Sequence, residues 1–251
     1  MSQNTLYTVL APLYDKIMNH VNYDLWLTLI ERIVSRHFSG MKPSILELGG
    51  GTGVLATMLR KKGYTYFGSD YSFLMCKEAY KKELPFFCAD ARHLPIKKTF
   101  PFAIFLYDGI NYLTTLNDYI NLFNEIYNLL DSGGFFLFDI TTEINSITNF
   151  LDIIDSEDFG ESSYIRHSYF DREKKIQHND FTVNIKSSVN SSLYEKMSEY
   201  HIQKIFSPEE IISIIPENHF TIMGVWDNFS FDKYSSRSER IHFLLKKKCE
   251  A

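Results

Sequence analysis

The stretch ILELGGGTG, residues 45–53, is followed by Asp70, which comes 23 positions after Glu47. Its apolar start predicts a short strand, and residues 54–62, VLATMLRKK, predict a helix directly after it. Glycine suits the turn between them, because it tolerates positive φ and has no Cβ in the way of a ligand. An acid at the end of the next strand binds ribose hydroxyls in folds of this kind. The stretch therefore predicts a nucleoside-binding site.

The composition favours one soluble domain, residues 1–251, with no membrane or nucleic-acid partner. The chain is 45% hydrophobic and has no apolar run long enough for a membrane span. Its net charge of −5 weighs against a nucleic-acid partner, which normally needs a basic face. The three cysteines, Cys76, Cys88 and Cys249, are widely spaced and form no metal-binding pattern. We therefore expect a cytoplasmic protein without a metal.

Strand and helix patterns alternate from residue 45 to residue 140. The predicted strands are Ile45–Leu48, Tyr64–Ser69, Pro85–Ala89, Phe102–Asp108 and Phe135–Ile140. Alternation of this kind argues for parallel strands joined by right-handed crossovers. Two further strands, Phe220–Trp226 and Arg240–Leu245, close the pattern. The predicted fold is α/β, with a seven-stranded, mostly parallel doubly wound sheet that ends in a C-terminal antiparallel hairpin.

Two segments stand outside this alternation. Residues 1–40 read as an N-terminal helical cap, with helices expected over Leu6–Met18 and Tyr23–Phe38. Residues 141–206 are polar and aromatic, and they alternate with period two. The predicted strands there are Ser163–Phe170, Lys175–Ser187 and Leu193–Phe206. We interpret residues 141–206 as an antiparallel β insertion after the fifth strand that forms a lid over a substrate.

The glycine spacing decides between two nucleoside ligands. A dinucleotide fingerprint has its third glycine or alanine at the position of Val54, whereas here the glycine comes one place earlier, at Gly53. The pattern E-x-G-x-G-x-G, which begins at Glu47, resembles the first motif of class I S-adenosylmethionine-dependent methyltransferases. The later segments SDYS, FFCADARHLPI, YDGINYL and LLDSGGFFLFD resemble further motifs of that family in the same order.

The resemblance covers Ile45 to Asp139 and is greatest for the small-molecule branch, which includes glycine N-methyltransferases and amino-sugar N,N-dimethyltransferases. Members of that branch likewise carry a Tyr-Asp pair near the N-terminus, here Tyr14-Asp15, and an antiparallel insertion after the fifth strand. The resemblance implies S-adenosyl-L-methionine as methyl donor. It also implies a small-molecule acceptor methylated at nitrogen or oxygen.

The resemblance further implies which residues hold the donor. Asp70 would accept both ribose hydroxyls, Tyr71 would lie against adenine, and Glu47 would act near the ammonium, directly or through water. The other residues implied at the donor are Gly49, Gly51 and Gly53 through their backbone, Asp90 and Ala91 at adenine, Tyr107 and Asp108 on the methionyl side, and Tyr14 beside the sulfonium.

Methyl transfer from a sulfonium needs alignment of the acceptor and shelter for the cation, which aromatic faces provide. Tyr7, Tyr14, Tyr107 and Tyr112 are the candidate aromatic residues. An amine acceptor must be uncharged to attack, so a base can assist. His201 on a predicted lid strand is the first candidate, with a surface histidine as the alternative interpretation. The remaining candidates are Asn111, which either orients substrate or caps a loop, and the weaker His167 and His178.

Two other functions remain open at the level of sequence. One is an NAD-dependent oxidoreductase, which Val54 at the third fingerprint position argues against. The other is a non-catalytic protein of methyltransferase fold that binds the nucleoside for regulation or assembly. The sequence leaves the acceptor and the oligomeric state undetermined.

Overall fold

A computed structural model describes residues 6–186 and 193–249. The expected strand end at Ser187 lies outside these ranges. The helices in them are α1 (Tyr14–Ile17), α2 (Tyr23–His37), α3 (Val54–Lys61), α4 (Phe73–Lys81), α5 (Leu116–Leu129), α6 (Glu143–Asn149) and α7 (Pro208–Ile214). No helix in the described ranges combines the length and the apolar character that a membrane crossing needs.

Twelve strands occur in the same two ranges. They are β1 (Ile45–Leu48), β2 (Tyr66–Asp70), β3 (Phe86–Cys88), β4 (Phe100–Phe105), β5 (Leu130–Thr141), β6 (Asp152–Asp158), β7 (Ser162–Asp171), β8 (Ile176–Lys186), β9 (Tyr194–Lys204), β10 (Phe220–Asp227), β11 (Asp232–Lys233) and β12 (Arg240–Lys247). They form an eight-stranded sheet, in the order β11-β10-β12-β5-β4-β1-β2-β3, and a four-stranded sheet, β6-β7-β8-β9.

The predicted α/β architecture is confirmed in outline. Strands β1 to β5 pair in parallel with their neighbours, and β12 and β10 add antiparallel strands at the β5 edge. The predicted count of seven strands was wrong by one. The two-residue β11 folds back on the end of β10, where Trp226 is opposite Lys233.

Burial on both faces explains the nearly continuous apolar strands of this sheet. All four residues of β1 are buried, and so are Phe102 to Phe105 of β4. Helix α2 presents Leu29, Ile30 and Ile33 to one apolar core, whereas α5 contributes to the core on the other side. The order of strands reverses between β1 and β4, and crevices at such a switch point take ligands.

The four-stranded sheet, β6 to β9, is named the insertion sheet below. It confirms the three antiparallel segments expected from the period-two pattern, within the described residues. Its edge strand β6 and the preceding helix α6 were not predicted. Helix α6 begins at Thr142, whose side chain accepts a hydrogen bond from the Asn145 N–H.

Two expected elements differ from the structure for local reasons. The prediction of one continuous helix over Leu6–Met18 was wrong. Only Tyr14–Ile17 is α-helical there, because Pro12 lacks an N–H and its ring crowds the preceding turn. Strand β4 ends at Phe105 instead of Asp108, since Tyr107 and Asp108 both adopt left-handed backbone conformations, with φ of 61° and 50°.

Candidate functional site

A cavity of about 610 Å³ opens at the carboxyl ends of β1, β2 and β4. The insertion sheet and the N-terminal segment complete its walls. Twelve of the predicted site residues line it: Tyr7, Tyr14, Gly49, Gly51, Asp70, Tyr71, Asp90, Ala91, Tyr107, Asp108, Tyr112 and His201. Glu47, Gly53 and Asn111 are not among its lining residues. The geometry therefore brings most of the predicted site together at one place.

The glycines of the turn leave space for a ligand in the cavity and for the side chains that pack on the other side of the turn. Gly49, Gly51 and Gly53 all have positive φ, of 61°, 57° and 78°. A Cβ on Gly51 would project into the cavity, with the nearest atom, Tyr14 Cε1, 3.9 Å away. A Cβ on Gly53 would instead lie 2.2 Å from Leu84 Cδ1. Gly51 thus leaves room for a ligand, whereas Gly53 leaves room for α4 and β3.

Asp70 is fixed at the end of β2 by two backbone groups. The Gly51 N–H donates to Oδ2 at 2.9 Å, and the Ser72 N–H donates to Oδ1 at 2.8 Å. Each oxygen keeps a second lone pair available to a ligand. Burial raises the pKa of Asp70 to about 6, although the hydrogen bonds from Ser72 and Gly51 act in the opposite direction. The carboxyl group is therefore charged above about pH 6 and ready to accept two adjacent hydroxyls.

Glu47 joins two strands of the sheet and does not line the cavity. Its side chain is buried and accepts a hydrogen bond from the Tyr66 hydroxyl on β2. Burial raises the pKa of Glu47 to about 7, despite the lowering effect of that hydrogen bond. Because the carboxyl group does not line the cavity, the geometry supports a link between β1 and β2 rather than direct contact with an ammonium.

The part of the cavity at Asp90, where the sequence predicts adenine, is more crowded than the sequence indicated. Arg92 Nε and Nη2 donate to the Asp90 carboxylate at 2.9 and 2.6 Å, and Arg92 Nη1 reaches Asp118 at 2.5 Å. Burial alone would raise the pKa of Asp90, but the hydrogen bonds from Arg92 outweigh it and hold that pKa below its usual value. Arg92 was missed by the sequence analysis, although it lies two residues after Asp90.

An ion-pair network lies behind the end of β4. Asp108 accepts from Arg240 Nη2 and from Gln203 Nε2, both at 2.7 Å, and Arg240 also donates to Asp139. Burial raises the pKa of Asp108 and of Asp139, and Arg240 partly offsets it. Arg240 also lies 5.1 Å from the Tyr107 ring centroid. This network holds Tyr107 and Asp108 in their unfavourable backbone conformation.

Three of the predicted aromatic residues meet at the other end of the cavity. The hydroxyls of Tyr7 and Tyr112 lie 2.6 Å apart, and the Tyr7 and Tyr14 rings pack edge to face at 5.5 Å. Burial raises the pKa of Tyr7 and Tyr14 well above the usual value, so both phenols are neutral at physiological pH. Their ring faces and edges can surround a cationic group without neutralising it.

His201 lies beside these tyrosines and is only 1% exposed, so the alternative of a surface histidine was wrong. Its Nδ1 is 3.1 Å from the Tyr112 hydroxyl, and its Nε2 is 2.8 Å from Glu199 Oε1. Glu199 is also buried on β9, and the sequence analysis missed it. No sequence motif indicates Glu199 as a site residue, because its burial results from the pairing of β8 with β9 and from the packing of residues 6–10.

The other polar candidates lie outside the cavity. The Asn111 amide donates to the Lys204 carbonyl at 2.9 Å and accepts from the Thr141 N–H at 3.1 Å, so it joins β9 to β5. This geometry favours the loop-stabilising interpretation of Asn111. His167 bonds to the exposed Asp152, and His178 stacks on Tyr169 with ring centroids 4.4 Å apart.

Helix α6 and the insertion sheet, where the sequence predicts a substrate lid, build one side of the cavity, which is named the acceptor side below. Its walls combine aromatic rings with amide and guanidinium groups, and groups of this kind are able to form hydrogen bonds with a polar molecule. These residues are Asn145, Phe150, Tyr164, Arg166, Gln177, Asn179, Phe181 and Gln203. None was a predicted site residue, because a period-two pattern gives no indication of which face of a strand meets a ligand.

Comparison with known proteins agrees with this geometry. Residues 45–134 match the family described as "Methyltransferase domain". A protein of Geobacillus sp. (strain WCH70) that is named as a methyltransferase is 28% identical over 248 residues, covering 96% of this chain and 99% of its own.

Solved structures share the same fold. An S-adenosylmethionine-dependent methyltransferase from Clostridium acetobutylicum ATCC 824 superposes with a TM-score of 0.81 at 24% identity, over 96% of this chain and 99% of its own. The sugar N-methyltransferase KedS8 from Streptoalloteichus sp. ATCC 53650 has a TM-score of 0.78 at 15% identity, over 100% and 95%. Residues 45–134 therefore match a methyltransferase domain, and the predicted resemblance to class I S-adenosylmethionine-dependent methyltransferases is confirmed at the level of the fold.

Proposed function

We propose that this enzyme transfers the methyl group of S-adenosyl-L-methionine to a nitrogen or oxygen of a small-molecule acceptor. One observation carries the proposal. A single cavity is lined by the glycine turn and Asp70, by His201 and by the tyrosines, and Tyr14 lies against Gly51. Donor and acceptor can therefore meet inside one cavity, as an in-line displacement requires.

The donor end fits the group that the family implies. Gly51 leaves space that a Cβ would fill, and Asp70 is positioned to accept two adjacent hydroxyls. Tyr71 and Ala91 line the adenine end, whereas Tyr107 and Asp108 line the methionyl side. S-adenosyl-L-methionine supplies a methyl group already activated by its sulfonium.

The protein residues orient the acceptor and manage its proton. The neutral hydroxyls of Tyr7 and Tyr112 and the imidazole of His201 form one hydrogen-bonded group at the cavity wall. An amine acceptor that loses a proton to this group becomes nucleophilic. His201 Nδ1 is the proposed final site of that proton, and Tyr14 lies between this group and Gly51.

The acceptor side supports a small, polar acceptor. Its amide and guanidinium groups suit a molecule that carries several hydrogen-bonding groups. One of the structures that share the fold is a sugar N-methyltransferase, which is in keeping with such an acceptor. The net charge of −5 continues to argue against a nucleic acid, and the cytoplasm remains the expected compartment.

Calorimetric titration with S-adenosylhomocysteine, with NAD as the control ligand, tests the donor assignment. We expect binding of S-adenosylhomocysteine at one site and none of NAD. Binding of NAD alone would overturn the proposal in favour of an oxidoreductase.

A second experiment addresses catalysis. Radiolabelled methyl transfer to a panel of amines and hydroxylated metabolites distinguishes an enzyme from a protein that only binds the nucleoside. We expect transfer to at least one member of the panel, and a loss of transfer in His201→Gln when the acceptor is an amine. A protein that binds S-adenosylhomocysteine but methylates no member would favour the non-catalytic alternative.

A further inference from the structure

We infer that Glu199 is a positioning residue that sets the tautomer of His201 and attaches residues 7–10 to the same site. The inference rests on the proposed function, because it gives a reason for the orientation of the imidazole in proton transfer. Its structural part, the bonding of one buried carboxylate to both partners, stands on the geometry alone.

Four nitrogen atoms, three of them backbone N–H donors, surround the Glu199 carboxylate, which is only 6% exposed. His201 Nε2 lies 2.8 Å from Oε1, and the Tyr7 N–H also donates to that oxygen. The N–H groups of Val9 and Leu10 donate to Oε2 at 2.8 and 3.2 Å. Since backbone N–H groups only donate, the carboxylate serves as the acceptor throughout.

The tautomer of His201 follows from this arrangement. Glu199 accepts at Oε1, so Nε2 carries the imidazole proton and Nδ1 keeps a lone pair. That lone pair faces the Tyr112 hydroxyl at 3.1 Å. The ring nitrogen on the cavity side is therefore the one able to take a proton. The groups that face His201 are Glu199 from β9, Tyr112 after β4, Tyr7 from the N-terminal segment, and the apolar ring of Phe181 from β8.

The proton step balances without any further reactant. The acceptor enters as an ammonium and releases one proton to the Tyr112 hydroxyl, which passes its own proton to His201 Nδ1. The products are a neutral amine and an imidazolium whose positive charge lies beside Glu199. A carboxylate at 2.8 Å stabilises that cation and holds the ring in place.

The same carboxylate gives the N-terminal segment its position. Tyr7 adopts a φ of 58°, which is unfavourable for a side chain of its size, and its N–H bonds to Glu199. Its hydroxyl then reaches Tyr112 at 2.6 Å. Without Glu199, residues 7–10 lose three hydrogen bonds, and the aromatic wall over the cavity loses its attachment to β9.

Nitrogen-15 NMR of the ligand-free protein tests the tautomer directly, with His201→Gln used to assign the resonance. We expect the Nε2–H tautomer in the wild-type protein. The Nδ1–H tautomer there would overturn the inference. This readout needs no donor and no acceptor, so its failure is distinct from failure of the donor assignment.

Glu199→Gln is the second test, and Glu195→Gln, an exposed position on the same strand, is its matched control. The amide retains the size of the side chain but brings a donor, and it cannot balance an imidazolium. We expect loss of the Nε2–H tautomer and faster hydrogen exchange at Val9 and Leu10.

In the methyl-transfer assay, we expect kcat to fall by about 10- to 100-fold in Glu199→Gln, with KM for the donor within about twofold. An unchanged Nε2–H tautomer of His201 in Glu199→Gln together with unchanged exchange at Val9 and Leu10 would overturn the inference.

Discussion

The backbone N–H of Gly51 donates to Asp70 Oδ2 at 2.9 Å, although 19 residues separate the two. The bond ties the glycine turn after β1 to the acid at the end of β2. The shape of the turn and the direction of the carboxylate therefore depend on each other. A ligand that bonds to Asp70 necessarily lies against the backbone of Gly51.

Asp70→Asn should lower the affinity for S-adenosylhomocysteine by about 10- to 100-fold. The amide offers one acceptor oxygen, and its NH₂ group would oppose the N–H of Gly51 or Ser72. Calorimetry measures the affinity, and the exposed Asp24→Asn serves as the control. Equal affinity in the two variants would contradict the assignment of Asp70.

The wild-type affinity should also depend on pH through Asp70. Its pKa is raised to about 6, so protonation removes acceptor capacity as the pH falls below that value. We expect weaker binding of S-adenosylhomocysteine at pH 5 than at pH 7.5, and a smaller difference between these pH values in Asp70→Asn. The same calorimetric titration at the two pH values checks this expectation.

Gly51→Ala and Gly53→Ala should separate ligand binding from stability. Both positions have positive φ, which costs a side chain about 1 kcal/mol. At Gly51 the Cβ enters the cavity, so affinity for S-adenosylhomocysteine should fall at least about tenfold with little further loss of stability. At Gly53 it meets Leu84, and crowding should lower the free energy of unfolding by a further ~1–3 kcal/mol.

Urea denaturation and calorimetry on both variants make this comparison. A variant at Gly51 that binds as well as the wild type would show that the ligand does not approach this turn. A variant at Gly53 as stable as that at Gly51 would contradict the packing argument.

Glu47→Gln should stabilise the protein at pH 8. The pKa of Glu47 is raised to about 7 by burial, so the folded state binds its proton more tightly than the unfolded state. The free energy of unfolding therefore falls as the pH rises from about 4.5 to 7. Glutamine removes the buried charge and still accepts from Tyr66.

We expect a gain of about 1–3 kcal/mol at pH 8 and a flatter pH dependence, measured by urea denaturation. The exposed Glu157→Gln should leave both unchanged. A tenfold loss of affinity for S-adenosylhomocysteine in Glu47→Gln would instead support the predicted role at the ammonium.

Arg240→Met should destabilise the protein by about 3–5 kcal/mol, because it leaves the buried carboxylate of Asp139 and the partly buried carboxylate of Asp108 without their cation. The loss should be smaller at pH 5, where protonation relieves part of the repulsion. Urea denaturation at the two pH values measures it. The double variant with Asp139→Asn should recover part of the loss, and full additivity of the two substitutions would contradict the network.

The local part of the site follows from the sequence because its residues interact over short distances along the chain. The whole motif spans 26 residues, from Ile45 to Asp70, and consists of a strand, a glycine turn, a helix and the acid. The backbone conformation of each part can be predicted from its residue types. The antiparallel insertion was also predictable from period two. The residues that contact the insertion sheet were not predictable, because alternation defines two faces of a strand without showing which face is buried.

Side-chain contacts between distant segments could not be predicted from the pattern of residue types along the chain. Arg240 joins Asp108 across 132 residues, and Glu199 bonds to the Val9 N–H across 190. Asn111 is the opposite case, because the sequence suggested a site role that its contacts do not favour. Its place after β4 suggested a catalytic role, but packing directs both ends of its amide to backbone groups.

The sequence by itself determined the α/β architecture, the resemblance to methyltransferases and the expected donor, because glycine conformation, strand alternation and motif order are properties of neighbouring residues. Only the tertiary structure decided that His201 is buried beside Glu199 and Tyr112, and that Glu47 faces Tyr66. The physical reason is that a side chain's burial and charge partners depend on which strands pair. That pairing is set by the whole hydrophobic core rather than by any one segment.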